Sequence, residues 1–146
     1  MRGINTLILL ALPLAAISSW QAWGHHAFSA EFDAKAPVTL EGKVTRVEWI
    51  NPHAWIHVAV VQPDGSVKDW MVEGGTPNTL LRSGINRDSV PIGSEIKVRG
   101  YESKDKTCNP ACKANGRDLT FADGRKAFMG SSGTGAPKDG ADPRDR

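Results

Sequence analysis

The sequence has little of several residue types, and each scarcity excludes a class of protein. Its 146 residues include two cysteines and one tyrosine, and the formal net charge at pH 7 is only +2. No block of basic residues stands out, so neither nucleic acid nor an anionic membrane surface is expected as a partner. The sequence also lacks a glycine-rich phosphate loop, a GxSxG elbow and an HExxH pair. We find no catalytic constellation and expect a protein that is not an enzyme.

The longest apolar run lies at the N-terminus. Arg2 precedes the apolar residues 7–17, a segment shorter than the roughly 20 residues that a spanning helix needs. A charged start and a short apolar run are typical of a secretory signal, and residues 22–24 (Ala-Trp-Gly) offer small residues at both positions that signal peptidase reads. We therefore predict a signal peptide at residues 1–24, a mature chain that starts at His25, and export to the periplasm without stable membrane insertion. An uncleaved anchor is the alternative.

Short β patterns separated by turn residues occupy the middle of the chain. In the first pattern, Val38, Leu40 and Val44 share one phase of the alternation, whereas Val47 and Trp49 share the other. A change of phase inside one strand predicts a bulge or a sharp bend. Further strands are expected within residues 54–61, 67–75, 90–103 and 117–130. In the second of the five strands, Ile56 and Val58 should share one face, and Trp55 and His57 the other.

Residues 76–84 carry the start and stop signals of a short helix between the third and fourth strands. Thr76 can cap its start, Pro77 suits the first helical position and Gly84 can end it. Three strands, a helix and two more strands form the element order of an oligonucleotide/oligosaccharide-binding (OB) barrel. The fold class is thus all-β, with a small five-stranded OB-like barrel over residues 25–129. Another small β-sandwich or an open barrel is the alternative.

The end of the chain has two further features. Asp123-Gly124 is a turn signal that could bring a hairpin partner back along the fifth strand. Residues 130–146 are rich in glycine, proline, serine and charge. Such a segment cannot bury enough apolar surface to order itself, so a disordered tail is expected there.

The four histidines fall into two groups, His25-His26 and His53 with His57. If the mature chain starts at His25, its α-amine and its ring can chelate one metal ion, and one more imidazole would give three nitrogen ligands. Such nitrogen-rich sites favour copper among the first-row metals. Since the α-amine has a pKa of about 7.7–8.0, its binding should weaken as the pH falls.

His53 is the favoured partner of the N-terminal pair. In an extended strand His53 and His57 would stand about 13 Å apart, so they cannot share one ion while the strand is straight. A residue in a loop after Pro52 can turn toward a ligand, whereas His57 is fixed by its strand. The candidate metal ligands are therefore His25, His26 and His53, with His57 as a further candidate and copper as the cofactor.

Two functions follow from two interpretations of the histidines. As ligands they indicate a periplasmic metal carrier or accessory module that is not an enzyme. If the histidines are instead structural residues bonded to their neighbours, we expect an envelope module that binds a protein or glycan through its loops. An enzyme with a copper centre at the N-terminal histidine is a third and weaker interpretation.

Cys108 and Cys112 enclose a short loop around Asn109-Pro110. In an exported protein a disulfide is their expected state. The C-x3-C spacing differs from the C-x2-C of redox enzymes and zinc knuckles, so thiol chemistry is not expected.

Five stretches of the sequence together resemble a family of small exported bacterial proteins that is catalogued as a domain of unknown function. The most specific are HHAFSAEFD and WINPHAWIHV, and the others are VEGGTPNTLLRSG, GSEIKVRGY and NGRDLTFADGRKAFMGSSGTG. The resemblance covers about residues 25–135. It implies a β domain of the cell envelope, and it supplies no substrate and no catalytic residue. The CNPAC loop lies where such proteins are expected to have a shorter polar loop.

Overall fold

The computed structural model describes residues 28–137. Residues 1–27, with the predicted signal peptide, His25 and His26, lie outside the described residues, as do residues 138–146. The elements in chain order are α1 (Phe28–Glu31), β1 (Phe32–Glu48), β2 (Trp55–Val61), β3 (Val67–Glu73), α2 (Pro77–Arg82), a 3-10 turn (Arg87–Ser89), β4 (Glu95–Ser103), β5 (Cys112–Thr120) and β6 (Lys126–Phe128). No described helix has the length and apolar character needed to cross a membrane.

The strands form a ring. β1 pairs with β2 and with β4, β2 pairs with β3, and β4 pairs with β5, all antiparallel. A parallel pairing of β3 with β5 closes the ring in the order β1-β2-β3-β5-β4. The β-rich fold expected from the sequence is confirmed. The expected number of five strands is wrong, because the turn at Asp123-Gly124 returns the chain as β6 alongside β5.

The long first strand bends where its hydrophobic phase changes. The pairing of β1 with β2 shifts register between Val44 and Arg46. Val44 is buried on one side of this shift, and Val47 packs against the core on the other side. The extra residue reverses the side-chain alternation, so both halves of the strand point apolar residues inward. The bulge predicted from the sequence is confirmed.

One apolar core fills the ring. It combines alternate residues of the strands with Leu80 of α2 and Met129, which follows β6. Ile56 and Val58 of β2 are buried, while the neighbouring Trp55 and His57 are half-exposed on the outer face. The predicted division of β2 into two faces is confirmed.

The short helix α2 has the ends that its sequence indicates. The Thr76 side chain accepts a hydrogen bond from the Thr79 amide at 3.1 Å. At the other end Gly84 has a φ of 78°, and the Ile85 amide donates to the Leu80 carbonyl at 2.9 Å. This is the Schellman arrangement, in which a left-handed glycine lets the chain turn back on the helix. Leu80 and Ile85 are both fully buried, so the caps fix α2 against the core.

A second, smaller apolar cluster lies on the outer face of the ring. Phe28, Phe32 and Tyr101 are buried together there, and Ala136 packs against them. The Phe28 amide donates to the Thr134 carbonyl at 3.0 Å. Thr134 and Ala136, which lie in the segment predicted to be a tail, thus contact Phe28 and this cluster.

Candidate functional site

Three polar side chains meet on the outer face, at the end of β3. His53 lies in the connection between β1 and β2, Glu73 is the last residue of β3, and Asn115 lies in β5. We call these three residues the His53 cluster. Glu73 is the pairing partner of Asn115 across the parallel β3–β5 ladder. Paired residues project from the same face of a sheet, and neighbours along a strand alternate, so both side chains point away from the core that Val72 enters.

The cluster is linked by a buried carboxylate. Nδ2 of Asn115 donates to Oε1 of Glu73 at 3.3 Å, and Nδ1 of His53 lies 3.8 Å from the same oxygen. Glu73 and Asn115 are only 8 % and 6 % exposed, although both are polar. Burying a polar group is costly unless it is hydrogen-bonded, and burying a charge more so. The side chains of Glu73 and Asn115 are therefore packed within the protein at this face and are not surrounded by solvent.

His53 is oriented by the backbone as well as by the carboxylate. Its Nδ1 lies 3.2 Å from the Gly74 carbonyl oxygen. A carbonyl can only accept, so Nδ1 carries the proton of this hydrogen bond. In the neutral ring the lone pair then lies on Nε2, the nitrogen on the other side of the imidazole.

His57 belongs to a different pair. Its Nε2 lies 2.7 Å from Oε1 of Glu48, and the Arg46 guanidinium is 3.4 Å from the same carboxylate oxygen. The two side chains of the pair are 17 % and 21 % exposed. The structure thus gives His53 and His57 separate carboxylate partners.

Within residues 28–137, no group of three or more histidine, cysteine, aspartate or glutamate side chains could hold a metal ion. Two of the predicted ligands, His25 and His26, lie outside this part of the chain.

Phe28, three residues after His25, packs against Tyr101. Its side chain is 3 % exposed, and its ring packs edge-on against Tyr101 with centroids 5.4 Å apart. Tyr101 is in turn the β4 pairing partner of Asn115.

The predicted disulfide is confirmed. Cys108 and Cys112 are bonded at the start of β5. Cys108 is exposed and Cys112 is buried against the core. The bridge spans residues 108–112, at the end of the connection between β4 and β5.

Two residues of the His53 cluster were not recognised in the sequence as parts of a site. Nothing in the sequence couples Glu73 to another side chain, and Asn115 carries no signal. One clue was available for Glu73, because it ends the apolar pattern Trp70-Met71-Val72 immediately before two glycines. Its pairing with Asn115 is a contact between residues 42 positions apart, which no local pattern indicates.

The chain belongs to a family of unknown function, DUF6152, whose family model matches residues 14–110. The match confirms the resemblance inferred from the sequence motifs. It includes His25, His26, His53 and His57, whereas Asn115 lies beyond its end. No curated protein matches this chain.

Proposed function

We propose that this protein is a periplasmic metal-binding module that carries copper or acts as an accessory to a copper pathway, without being an enzyme itself. The proposed ligands are His53, the ring and α-amine of His25, and the ring of His26. We propose further that the closed ring of strands is an OB-like barrel, since its pairing order β1-β2-β3-β5-β4 returns to β1.

The observation that carries the proposal is the orientation of His53. Histidines that bind metals typically donate their second ring N–H to a backbone carbonyl or a carboxylate, which fixes the ring and makes the other nitrogen more basic. Nδ1 of His53 donates to the Gly74 carbonyl at 3.2 Å, and the Glu73 carboxylate lies nearby at 3.8 Å, beyond hydrogen-bond distance. Nε2 is thus the nitrogen that this arrangement prepares for a metal ion.

The position of Phe28 supplies the second support. Phe28 is held by its ring on Tyr101 and by its amide on Thr134. Because three residues of chain span at most about 11 Å, we expect the short connection from His25 to Phe28 to favour binding of the N-terminal histidines on this face. Amine and imidazole nitrogens together favour copper over the harder cations.

His57 is omitted from the proposed ligand set. Its Nε2 is 2.7 Å from Glu48, so it would have to break this bond to bind a metal through that nitrogen. His57 is half-buried on the same strand face as Trp55. It therefore offers a matched control, a histidine with a carboxylate partner that lies outside the proposed site.

The proposal also requires export. A signal peptide ending at Gly24 would expose the α-amine of His25, and the Cys108–Cys112 disulfide is compatible with an oxidising compartment. A mature chain that starts at another residue would lack the chelate of amine and ring.

The test is non-denaturing mass spectrometry of the exported protein, with and without one equivalent of Cu(II). We expect a chain that starts at His25 and retains one copper ion. His53→Gln and the double variant His25→Ala/His26→Ala should lose that ion, whereas His57→Gln should keep it. A wild-type protein that takes up no copper, or an equal loss in the His53 and His57 variants, would contradict the proposal.

A shallow apolar groove favours a second candidate function, an envelope module that binds a protein or glycan partner. Gly42, Ala59, Val61 and Val67 form the apolar part of a groove of about 390 Å³, and the charged residues Glu41, Lys43 and Glu95 line the rest of it. Val61 and Val67 are 69 % and 60 % exposed, which is unusual for apolar side chains on neighbouring strands. A photo-crosslinking residue at Val61 should then give one discrete adduct in intact cells. The same probe at Leu81 of α2, which is also exposed but does not line the groove, should give none.

A further inference from the structure

The Cys108–Cys112 bridge is reached from a pocket at the start of β5. Both cysteines line this pocket, whose volume is about 90 Å³, enough for a few water molecules and hence for the sulfhydryl end of a small thiol. We propose that the bridge is a site of thiol–disulfide exchange, at which a small thiol that carries a carboxylate bonds to Cys108. The inference is independent of the proposed metal site. It concerns reversible modification of the bridge and not the C-x2-C catalysis that the spacing argues against.

Exposure selects Cys108 as the sulfur that reacts. The rate of exchange depends on which sulfur a thiolate can reach. Cys112 is only 3 % exposed, and it pairs with Trp70 at the start of the β3–β5 ladder. Cys108 lies outside the sheet, in the connection that precedes β5, and is exposed. An incoming thiol therefore meets Cys108, and Cys112 is the leaving group.

The backbone of Cys108 is the second observation. Cys108 has a φ of 50°, and it is the one residue other than glycine in the described chain with a positive φ. Residues with a β-carbon rarely adopt this left-handed conformation, and such outliers concentrate at sites with a function. Once the bridge opens, Cys108 is free to leave the conformation. The release of this backbone strain favours exchange at Cys108.

The charges around the pocket select an anionic thiol. The charged residues that line it are Lys68, Lys106, Lys113, Glu102 and Asp105. Lys106 is paired with Glu102 at 2.5 Å. The Lys68 ammonium instead lies 5.1 Å from the centroid of the Trp70 ring, and it forms no ion pair within residues 28–137. Lys68 thus supplies a positive charge that attracts a carboxylate and favours the thiolate form of a nearby thiol.

The exchange step balances without a further reactant. The thiolate sulfur of the incoming thiol forms a bond to Sγ of Cys108 while the bond from Cys108 to Cys112 breaks. The electron pair leaves on Sγ of Cys112, which takes up a proton from water. The incoming sulfur is thereby oxidised to a disulfide, and the Cys112 sulfur is reduced to a thiol. Because the sheet holds Cys112 beside the new disulfide, the reverse attack can re-form the bridge and release the thiol.

The experiment measures the rate of exchange in the full folded chain with thioglycolate, which carries a carboxylate, and with β-mercaptoethanol, which does not. Iodoacetamide traps the thiol that is released, and mass spectrometry of peptides locates both modifications. We expect the small thiol on Cys108 and the alkyl group on Cys112. The rate should rise with thiol concentration. A rate that does not would mean that the bridge reacts only after unfolding, and the inference would be overturned.

Variants of Lys68 test the charge preference. Lys68→Gln should slow the reaction of thioglycolate about threefold more than that of β-mercaptoethanol, the size expected for one exposed ion pair. Lys68→Arg keeps the charge and should react like the wild type. Lys126→Gln is the matched control, since Lys126 is an exposed lysine of β6 that does not line the pocket. A thiol found on Cys112, or an equal effect of the Lys68→Gln and Lys126→Gln variants, would also overturn the inference.

Discussion

Gly100→Ala tests how closely the strands of the ring must approach one another. Gly100 lies in β4 where its register against β5 shifts. A methyl group added there would lie 2.0 Å from the carbonyl oxygen of Asn115 and 3.2 Å from the α-carbon of Gly116. Both neighbours are backbone atoms of a paired strand, so no side chain can rotate to make room.

The size of the effect follows from this geometry. Contacts of a β-carbon below 3.0 Å essentially do not occur, so β4 and β5 must separate by about 1 Å or more at this point. Overpacking a well-packed interior typically costs about 1–3 kcal/mol. We expect the upper end of this range, about 3 kcal/mol, because ladder hydrogen bonds are strained as well. Small domains have about 5–15 kcal/mol of stability in total, so the variant should fold with a markedly lower urea midpoint.

Gly65→Ala is the control for this experiment. Gly65 has a φ of +83° in the β2–β3 turn, and an added methyl group would meet nothing within 4 Å. This variant carries only the strain of the left-handed conformation, about 1 kcal/mol. Urea unfolding followed by tryptophan fluorescence and by circular dichroism would compare the two proteins. If Gly100→Ala were no less stable than Gly65→Ala, the close approach of β4 and β5 described here would be wrong.

Three further predictions concern local structure. Thr76→Ala removes the cap of α2 and should lower the free energy of unfolding by about 1 kcal/mol, measured by urea unfolding, with Thr76→Ser close to wild type. Reduction of the Cys108–Cys112 bridge, a five-residue loop, should cost roughly 2 kcal/mol in the chain-entropy account; an unchanged urea midpoint under reducing conditions would contradict this. The pKa of Asp64 lies below 3.8, because the Ser66 hydroxyl and then the Ser66 amide donate to its carboxylate. A lowered folded pKa gives a contribution to stability that is present above pH 3.8 and is lost as the pH falls through the folded value. Carbon-detected NMR titration should show the Asp64 pKa rising toward 3.8 in Ser66→Ala.

Much of the fold could be predicted because its signals are local. The bulge of β1 is encoded by the change of phase between Val44 and Val47, and α2 is bounded by Thr76 and Gly84. The sixth strand was less certain, since β6 has only three residues and a run so short has no alternation to detect. The short helix α1 was missed for the same reason, because its four residues make a single turn.

The candidate site was predictable in its residue types but not in its geometry. The histidines were identified as candidate ligands by their residue type. The expectation that His53 and His57 do not share one metal ion followed from their spacing along an extended strand. The roles of Glu73 and Asn115 could not be read in the same way. A carboxylate or an amide is common on any surface, and only the parallel pairing of β3 with β5 makes these two a buried pair.

The sequence by itself determined which segments alternate, where they turn, which residues face the core and which side chains have nitrogen or sulfur ligands to offer. These properties depend on neighbours within a few residues, where backbone geometry and side-chain period act directly. Only the tertiary structure decided that β3 meets β5, that Phe28 is anchored on Tyr101, and that His53, Glu73 and Asn115 share one buried face. Such contacts depend on how the whole ring closes around its core, which is a property of all the strands together and of no single segment.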